Sequence, residues 1–425
     1  MSTDAVEVWL SDATLGPDAM LGTLHRGMAS APARFVYHQA WLDSMAGPKP
    51  FALSHDLPLA RGSLFARDGS LHDVFRDMTP DRWGQVLMDQ REAVAAREQQ
   101  RAKKQLRPFD YLLGLSDVTR MGALRLRDPA SGEYIDDSHQ AVPPVTRLRE
   151  IQHVAEEIQK ADADDNPAIN RWLRLLVQPG SAMCGARPKA VFVEDDGSMW
   201  LAKFPSSKDK RDWGRWEFLA HQLAINAGIE MPRAKLFNLS EHGHTYAVER
   251  FDRAQGSRRM FCSAMTLLSK SDGDEPSFYW EIADAIARHG DKDHRAHDLA
   301  QLYRRIYFSI LIANRDDHLR NHGFLRTENG WRLSPAFDIN PNPDKDAHEL
   351  YLGIDADLTP SSALLRDVSE YYFVDYKSKA RRAAAAEKVE AEVRGALAGW
   401  QTVANGLGIA RAQMQDLEAI INLAR

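Results

Sequence analysis

Eight consecutive residues, Ile306-Tyr-Phe-Ser-Ile-Leu-Ile-Ala313, form a nearly unbroken apolar run, and the next eight, Asn314-Arg-Asp-Asp-His-Leu-Arg-Asn321, are polar except for one leucine. The run reads as a buried helix, so other elements must cover it on every side. The cluster behind it must stay near a surface, where a rigid core presents reactive groups. That junction constrains the fold more than any other stretch. At 425 residues the chain exceeds one ordinary core, so two or three domains or lobes are expected. A content of 44% hydrophobic and 27% charged residues is that of a soluble globular protein. The net charge of −6 argues against a protein that coats nucleic acid, while leaving room for a local basic patch. The two cysteines, Cys184 and Cys262, make neither a disulfide framework nor a metal-ligand spacing. They fit a reducing compartment. The N-terminus has no basic stretch followed by an apolar core, and no run reaches the ~20 residues that span a bilayer. A cytoplasmic protein without membrane contact is expected.

Along the chain, Val6–Leu10 and Arg34–His38 alternate as strands, separated by a turn-rich Gly/Pro stretch. Pro80–Gly84 opens a helix over Gln85–Gln105. Over Arg91–Arg107, the cations Arg91, Arg97, Arg101, Lys103, Lys104 and Arg107 stand against only Glu92 and Glu98. This is a solvated helix face, or alternatively a surface for nucleic acid that gains by counterion release. Asp128–Pro144 is rich in Pro, Ser, Asp and Gly and reads as a linker. Ala190–Glu194 and Met199–Phe204 form a strand pair around Asp195-Asp-Gly197. Trp213–Ala227 is helical, Thr245–Asp252 is a strand, and the chain beyond Cys262 is mainly helical. Its clearest helices are Trp280–Arg288, Leu299–Ala313, Lys377–Trp400 and Arg411–Leu423.

The polar cluster has a chemical spacing. Arg315-Asp316 followed by Asn321 reproduces the R-D-x-x-x-x-N of a kinase catalytic loop. Behind it, Asn329-Gly330 marks a hairpin turn, and Asp338 follows in the place of a kinase metal ligand. Ahead of it, the small-residue loop ending Cys184-Gly-Ala-Arg-Pro-Lys189 can bring backbone N–H groups close to phosphate oxygens. Lys203 follows in an apolar strand, where a kinase lysine holds phosphates, and Glu217 is its candidate helix partner. Taken singly, each residue has a plainer reading: Lys203 as a strand-edge lysine, Glu217 as a solvent-facing carboxylate. Phosphoryl transfer needs charge neutralisation more than covalent help, which suits Asp316 as proton acceptor and Asn321 and Asp338 as hard oxygen ligands for Mg²⁺. Backbone groups at Glu249, Arg250 and Phe251 would form the hinge that meets an adenine edge. A competing reading takes His318 and His322 with the adjacent acids as a hydrolase metal site; Gly323 and the hairpin interrupt the helix that it needs.

These blocks resemble the HipA family, the toxin kinases of HipBA-type toxin–antitoxin modules. The resemblance rests on Gly185-Ala-Arg-Pro-Lys-Ala190, Leu201-Ala-Lys203-Phe-Pro, Glu249-Arg-Phe-Asp-Arg253, Ser263-Ala-Met-Thr-Leu-Leu268, Asp316-x-His318-x-x-Asn321 and Ser334-Pro-x-x-Asp338. Ala52-Leu-Ser-x-x-Leu-Pro-Leu59, Pro80-Asp-x-Trp-Gly84 and Met121-Gly-Ala-Leu-Arg125 resemble its N-terminal region. The resemblance implies an α+β, protein-kinase-like bilobal fold: an extra N-terminal subdomain (1–135), a mixed α/β N-lobe (145–252) and a mostly helical C-lobe (253–425). It implies Mg²⁺- and ATP-dependent phosphorylation of protein serine or threonine. Asp316 would be the catalytic base and Asn321 and Asp338 the metal ligands. Cys184, Gly185, Ala186, Arg187, Pro188, Lys189, Lys203, Glu249, Arg250, Phe251, His318 and Asn321 would contact ATP.

The implied partners are a protein substrate, with aminoacyl-tRNA synthetases a substrate class, and a HipB-like helix-turn-helix antitoxin through which any DNA contact would run. The alternatives are a catalytically idle relative acting with its antitoxin as a transcriptional co-regulator, or a small-molecule kinase. Two positions depart from the pattern. The serine that many members autophosphorylate has Ser181 as its nearest counterpart, with Ala182 next to it. Asp317 stands where small residues are frequent, and is expected to be dispensable.

Overall fold

In the computed structural model of the protein, the alternating N-terminal segment is a strand, β1 (Ala5–Leu10), that buries Val6, Val8 and Leu10. Residues 4–27, 32–44, 47–67, 70–135, 142–160, 187–254, 256–271, 273, 276–355 and 357–421 are described. They form an α+β fold that divides into two compact units. The first is Met1–Lys208 with Leu239–His242 and Ala247–Cys262, and the second is Asp209–Asn238 with Gly243–Tyr246 and Ser263–Arg425.

In the first unit β1 pairs antiparallel with β2 (Ala19–His25), and β3 (Arg34–Tyr37), β4 (Ser63–Phe65) and β5 (Leu124–Arg127) complete a sheet of order β4-β3-β2-β1-β5. The expected turn-rich stretch thus contains a whole strand. Its alternation is hidden by Gly22, where a side chain has no room: a Cβ would sit 2.3 Å from the Val36 carbonyl oxygen and 2.6 Å from the Phe35 ring. Asp81 caps the next helix by accepting from the Gly84 N–H at 2.9 Å. That helix runs Arg82–Glu98, shorter than Gln85–Gln105, because the chain reverses at Gln100 with φ +50°. The reversal lets Arg101 meet Glu92 at 2.6 Å and Lys104 meet Asp110 at 2.7 Å. Much of the basic segment therefore pairs internally, as the solvated-face reading expects.

Two of the blocks that carry the resemblance meet in one buried node. Asp252 is fully buried and accepts from the Gly122 N–H at 2.8 Å, Arg250 Nη2 at 2.7 Å and Arg253 Nη1 at 2.5 Å. Arg250 also donates to the Thr119 carbonyl at 2.6 Å. Buried charges persist only when paired in this way. Beyond this node the strands β6 (Lys189–Val193), β7 (Met199–Lys203), β8 (Ala234–Ser240) and β9 (Gly243–Glu249) form a sheet of order β6-β7-β9-β8. Gly197, at φ +79°, makes the β6–β7 turn at no steric cost.

The second unit is mostly helical. Asp212 caps Trp213–Asn226 by accepting from the Arg215 N–H at 3.2 Å. The apolar run lies in the helix Arg295–Ile312, and its residues Ile306, Tyr307, Phe308, Ile310, Leu311 and Ile312 are each 0% exposed. Tyr303 on this helix donates to Glu390 at 2.7 Å from the helix Lys379–Leu397. The expected tail helix Lys377–Trp400 is two helices, Lys379–Leu397 and Trp400–Gly406. The hairpin Gly323–Thr327/Gly330–Leu333 anchors on Arg295–Ile312 through Asp298. This carboxylate accepts from Arg332 Nε at 2.9 Å and from the Leu333 N–H at 3.0 Å. Its two turn residues are Glu328 and Asn329, since Thr327 pairs with Gly330. The expected Asn329-Gly330 turn is thus displaced by one position. Gly330 is required for a different reason: a Cβ there would meet the Asp291 nitrogen at 2.6 Å. Among the described residues no helix is long and apolar enough to cross a membrane.

Candidate active site

The polar cluster takes its shape from the end of the helix before it. Ala313 closes Arg295–Ile312 in the left-handed region, φ 57° and ψ 42°, and the Asn314 N–H donates back to the Ser309 carbonyl at 2.9 Å. This is a Schellman-type ending, with the unusual choice of alanine rather than glycine at its left-handed residue. The loop that follows Asp338 is held on the same spot. The Asn342 N–H donates to the Ala313 carbonyl at 2.8 Å, and the Asn340 N–H donates to Asn314 Oδ1 at 3.3 Å. The helix end therefore gathers Asp316, Asn321 and the Asp338 segment within the second unit.

Each of the three acts through its local geometry. Asp316 points outward, its side chain 57% exposed, with Lys345 Nζ against Oδ1. Its backbone carbonyl accepts from Asn321 Nδ2 at 3.1 Å. That bond fixes which end of the Asn321 amide is which, and leaves Oδ1 as a buried acceptor with no hydrogen-bond partner among the described residues. Asp338 is half-buried, sits at φ +57°, and accepts from Asn340 Nδ2 at 3.1 Å. A non-glycine residue in this region is a strained choice that clusters at functional sites. An orphaned buried amide oxygen and a carboxylate are hard oxygen donors of the kind Mg²⁺ takes, so these residues fit that ion. His318 is half-buried, and its Nδ1 has no hydrogen-bond partner among the described residues. Its carbonyl accepts from the Asn321 N–H at 2.8 Å, opening the short 3₁₀ turn Leu319–Asn321. That turn is not the α-helix that a paired His318/His322 site would need. Among the described residues no group of three His, Cys, Asp or Glu side chains could hold a metal.

Asp317 is the correction. It is 5% exposed and accepts from the Tyr279 hydroxyl at 2.9 Å. His322 Nε2 lies 3.1 Å from its other oxygen, a charge contact without hydrogen-bond alignment. Burial pushes the Asp317 carboxyl up, but His322 and the Tyr279 hydroxyl outweigh it and hold the group below the usual carboxylate range. The side chain expected to be dispensable thus ties the cluster to the helix Tyr279–His289. Because alternate residues of an extended loop face opposite ways, anchoring Asp317 inward turns Asp316 outward.

In the first unit, Lys203 ends β7 with 8% exposure, directly opposite Lys189 on β6. Lys189 is 1% exposed and its Nζ lies 2.5 Å from Asp81. Its ammonium is thus engaged with the helix cap, away from the role of a free phosphate-loop cation. Arg187 Nη1 donates to the Phe204 carbonyl at 3.3 Å, and the Pro188 carbonyl accepts from the Phe204 N–H at 2.9 Å. Of the expected hinge, Glu249 and Phe251 are half-buried. The Arg250 N–H is bonded to the Met199 carbonyl at 2.9 Å, and its side chain belongs to the Asp252 node. Cys184, Gly185 and Ala186, like Ser181, lie outside the described residues. Glu217, expected as a solvent-facing carboxylate or a partner of Lys203, is 7% exposed on Trp213–Asn226.

Sequence reasoning missed Lys345 and Asn340, which touch Asp316 and Asp338. Both sit in the polar run Asn340-Pro-Asn-Pro-Asp-Lys345, where the alternate prolines Pro341 and Pro343 are the available sign of a loop held in one course.

Known proteins resemble this chain in sequence and in fold. A protein from Haemophilus influenzae named "Putative kinase" is 25% identical over 192 residues, 39% of this chain and 55% of its own. "Putative kinase Y4dM" of Sinorhizobium fredii is 27% identical over 162 residues, 35% of this chain and 38% of its own. The chain thus spans between about two-fifths and just over half the length of these curated relatives. HipA of Shewanella oneidensis MR-1, solved with HipB and its operator DNA, superposes with a TM-score of 0.64 at 15% identity, over 98% of this chain and 95% of that one. This is a likeness of fold. The HipA N-terminal domain matches residues 7–127, and the HipA-like C-terminal domain matches residues 181–400 and so takes in the whole of the Asp316–Asp338 site. With more than half of its length inside the second match alone, the chain belongs to the HipA family.

Proposed function

We propose that the protein is an ATP- and Mg²⁺-dependent kinase that phosphorylates a serine or threonine hydroxyl on a protein. The observation that carries this reading is the Asp316–Asn321 pair: one hydrogen bond leaves an orphaned, buried Asn321 Oδ1 beside an exposed Asp316 carboxylate. That is the division of labour phosphoryl transfer needs, one oxygen for the ion and one for the attacking hydroxyl. Asp316 accepts the hydroxyl proton, and Asn321 and Asp338 would hold Mg²⁺. Lys203 and Arg187 would contact the nucleotide phosphates, and Glu249–Phe251 and His318 would be further nucleotide contacts. When bound, Mg-ATP supplies the phosphoryl group and the cation that offsets its charge. The kinase names of the two curated relatives support the reaction class.

Family membership supports a toxin role, with a translation-related protein such as an aminoacyl-tRNA synthetase as substrate. The solved relative's assembly with HipB and operator DNA supports a HipB-like antitoxin as partner. DNA contact would then run through that complex, as the internally paired cations of the 91–107 segment suggest for a chain of net charge −6. The test is to incubate the protein with labelled ATP, Mg²⁺ and a cell extract, beside Asp316→Gln. Label in extract protein that falls at least about 100-fold in the variant is expected, a loss of roughly 3 kcal/mol in transition-state stabilisation. Equal labelling by the two proteins sinks the kinase reading, and label confined to small molecules sinks the protein acceptor.

A further inference from the structure

The loop beyond Asp338 brings a cation to the candidate base. Lys345 lies seven residues after Asp338, and its Nζ contacts both Asp316 Oδ1 and Glu349 Oε1. The placement is built from two directions. The Arg315 guanidinium, 7% exposed and adjacent in sequence to Asp316, donates to the backbone carbonyl of Lys345 itself. Asn314 and Ala313 hold the same loop at residues 340 and 342. Three consecutive residues at this junction, Ala313, Asn314 and Arg315, thus fix the course of the segment that returns Lys345 to the next, Asp316.

We infer that Lys345 is a positioning residue for the phosphoryl transfer, holding Asp316 by one carboxylate oxygen so that the other is presented to the acceptor hydroxyl. The inference rests on the kinase reading. In the step it serves, the hydroxyl oxygen bonds to the γ-phosphorus, the bond from that phosphorus to the leaving diphosphate breaks, and the hydroxyl proton passes to Asp316. A carboxylate on a loop rotates about two bonds, and misplacing a reacting group by about 1 Å costs on the order of 100-fold in rate. Ionic contact at Oδ1 restricts that rotation while leaving the charge on Asp316 in place. Burial lowers the Lys345 ammonium's pKa, but Asp316 and Glu349 raise it by more, so it stays charged throughout the neutral range. Glu349 contacts the same ammonium, so the lysine bridges the two acids.

Lys345 is partly exposed, at 37%, so replacing it leaves the core intact. The experiment compares the full chain with Lys345→Ala, Lys345→Arg and Asp316→Gln, using Mg²⁺, an ATP concentration series and cell-extract protein as acceptor. For Lys345→Ala we expect the maximal transfer rate to fall about 10- to 100-fold, with ATP half-saturation within about twofold of wild type. A merely structural lysine would not split the two in that way. Lys345→Arg should recover most of the rate, because a guanidinium can also hold one carboxylate oxygen. Wild-type rate in Lys345→Ala, alongside an inactive Asp316→Gln, overturns the inference and leaves the kinase reading standing. Transfer by wild type no greater than by Asp316→Gln removes the kinase reading, and the inference with it.

Discussion

Asp317 shows how a single buried charge directs its neighbours. Its carboxylate, held by Tyr279 and His322, faces inward while Asp316 faces solvent. Removing one partner of a buried ionic contact costs about 3–5 kcal/mol, so Asp317→Ala should lower the unfolding free energy measured by urea denaturation by that amount. An unfolding free energy unchanged within about 0.5 kcal/mol would reject the anchor role. The folded-state pKa of Asp317 is depressed, so its contribution to stability is complete above the unfolded carboxylate value of about 3.9. It is lost as pH falls through the lower folded value. Wild-type stability should therefore drop on acidification below about pH 4, more steeply than that of Asp317→Asn, as measured by urea unfolding across pH 2–6.

At the scale of elements, the hairpin before Asp338 is placed by contacts that Gly330 permits. The Asp291 N–H donates to the Trp331 carbonyl at 2.9 Å, and Thr327 Oγ1 donates to Asp291 Oδ2 at 2.6 Å. A methyl group at residue 330 would meet backbone atoms of Gly290 and Asp291 at 2.6–2.8 Å, and backbone cannot yield as a flexible side chain does. Gly330→Ala should cost about 1–3 kcal/mol by overpacking. Asn329→Ala, at an exposed turn position, should stay within about 0.5 kcal/mol. Equal losses for the two variants would return Gly330 to a turn role. Gly22 carries the same lesson in β2, where a missing side chain makes room for the β3 backbone.

For the whole molecule, the nucleotide is the natural probe. A ligand that binds only the folded state adds about 2.7 kcal/mol of stability at 100 times its Kd. Mg-ATP should therefore raise Tm by several degrees, and the Mg²⁺-dependent part of that rise should vanish in Asn321→Ala. An equal Mg²⁺ effect in the variant would exclude the orphaned Asn321 Oδ1 as a ligand. The two units divide the expected parts. Lys203 and the hinge segment fall in the first, and Asp316, Asn321 and Asp338 in the second.

The sequence by itself determined what rests on local order. The buried helix through Ile306–Ala313, the spacing of Asp316, Asn321 and Asp338, and the family all follow from residues near one another along the chain. Tertiary structure decided what depends on distant partners. Gly22 marks a strand only because the Val36 carbonyl of β3 packs against it, and Lys189 is engaged only because Asp81 reaches it. Asp317 is an anchor only because Tyr279 arrives from another helix, and Lys345 meets Asp316 only because Arg315 fixes its loop. Each is a contact between residues far apart in the chain, and side-chain type alone does not say which polar group will be buried and which exposed. That choice is set by packing, since a charge enters the interior only where a partner is already in place.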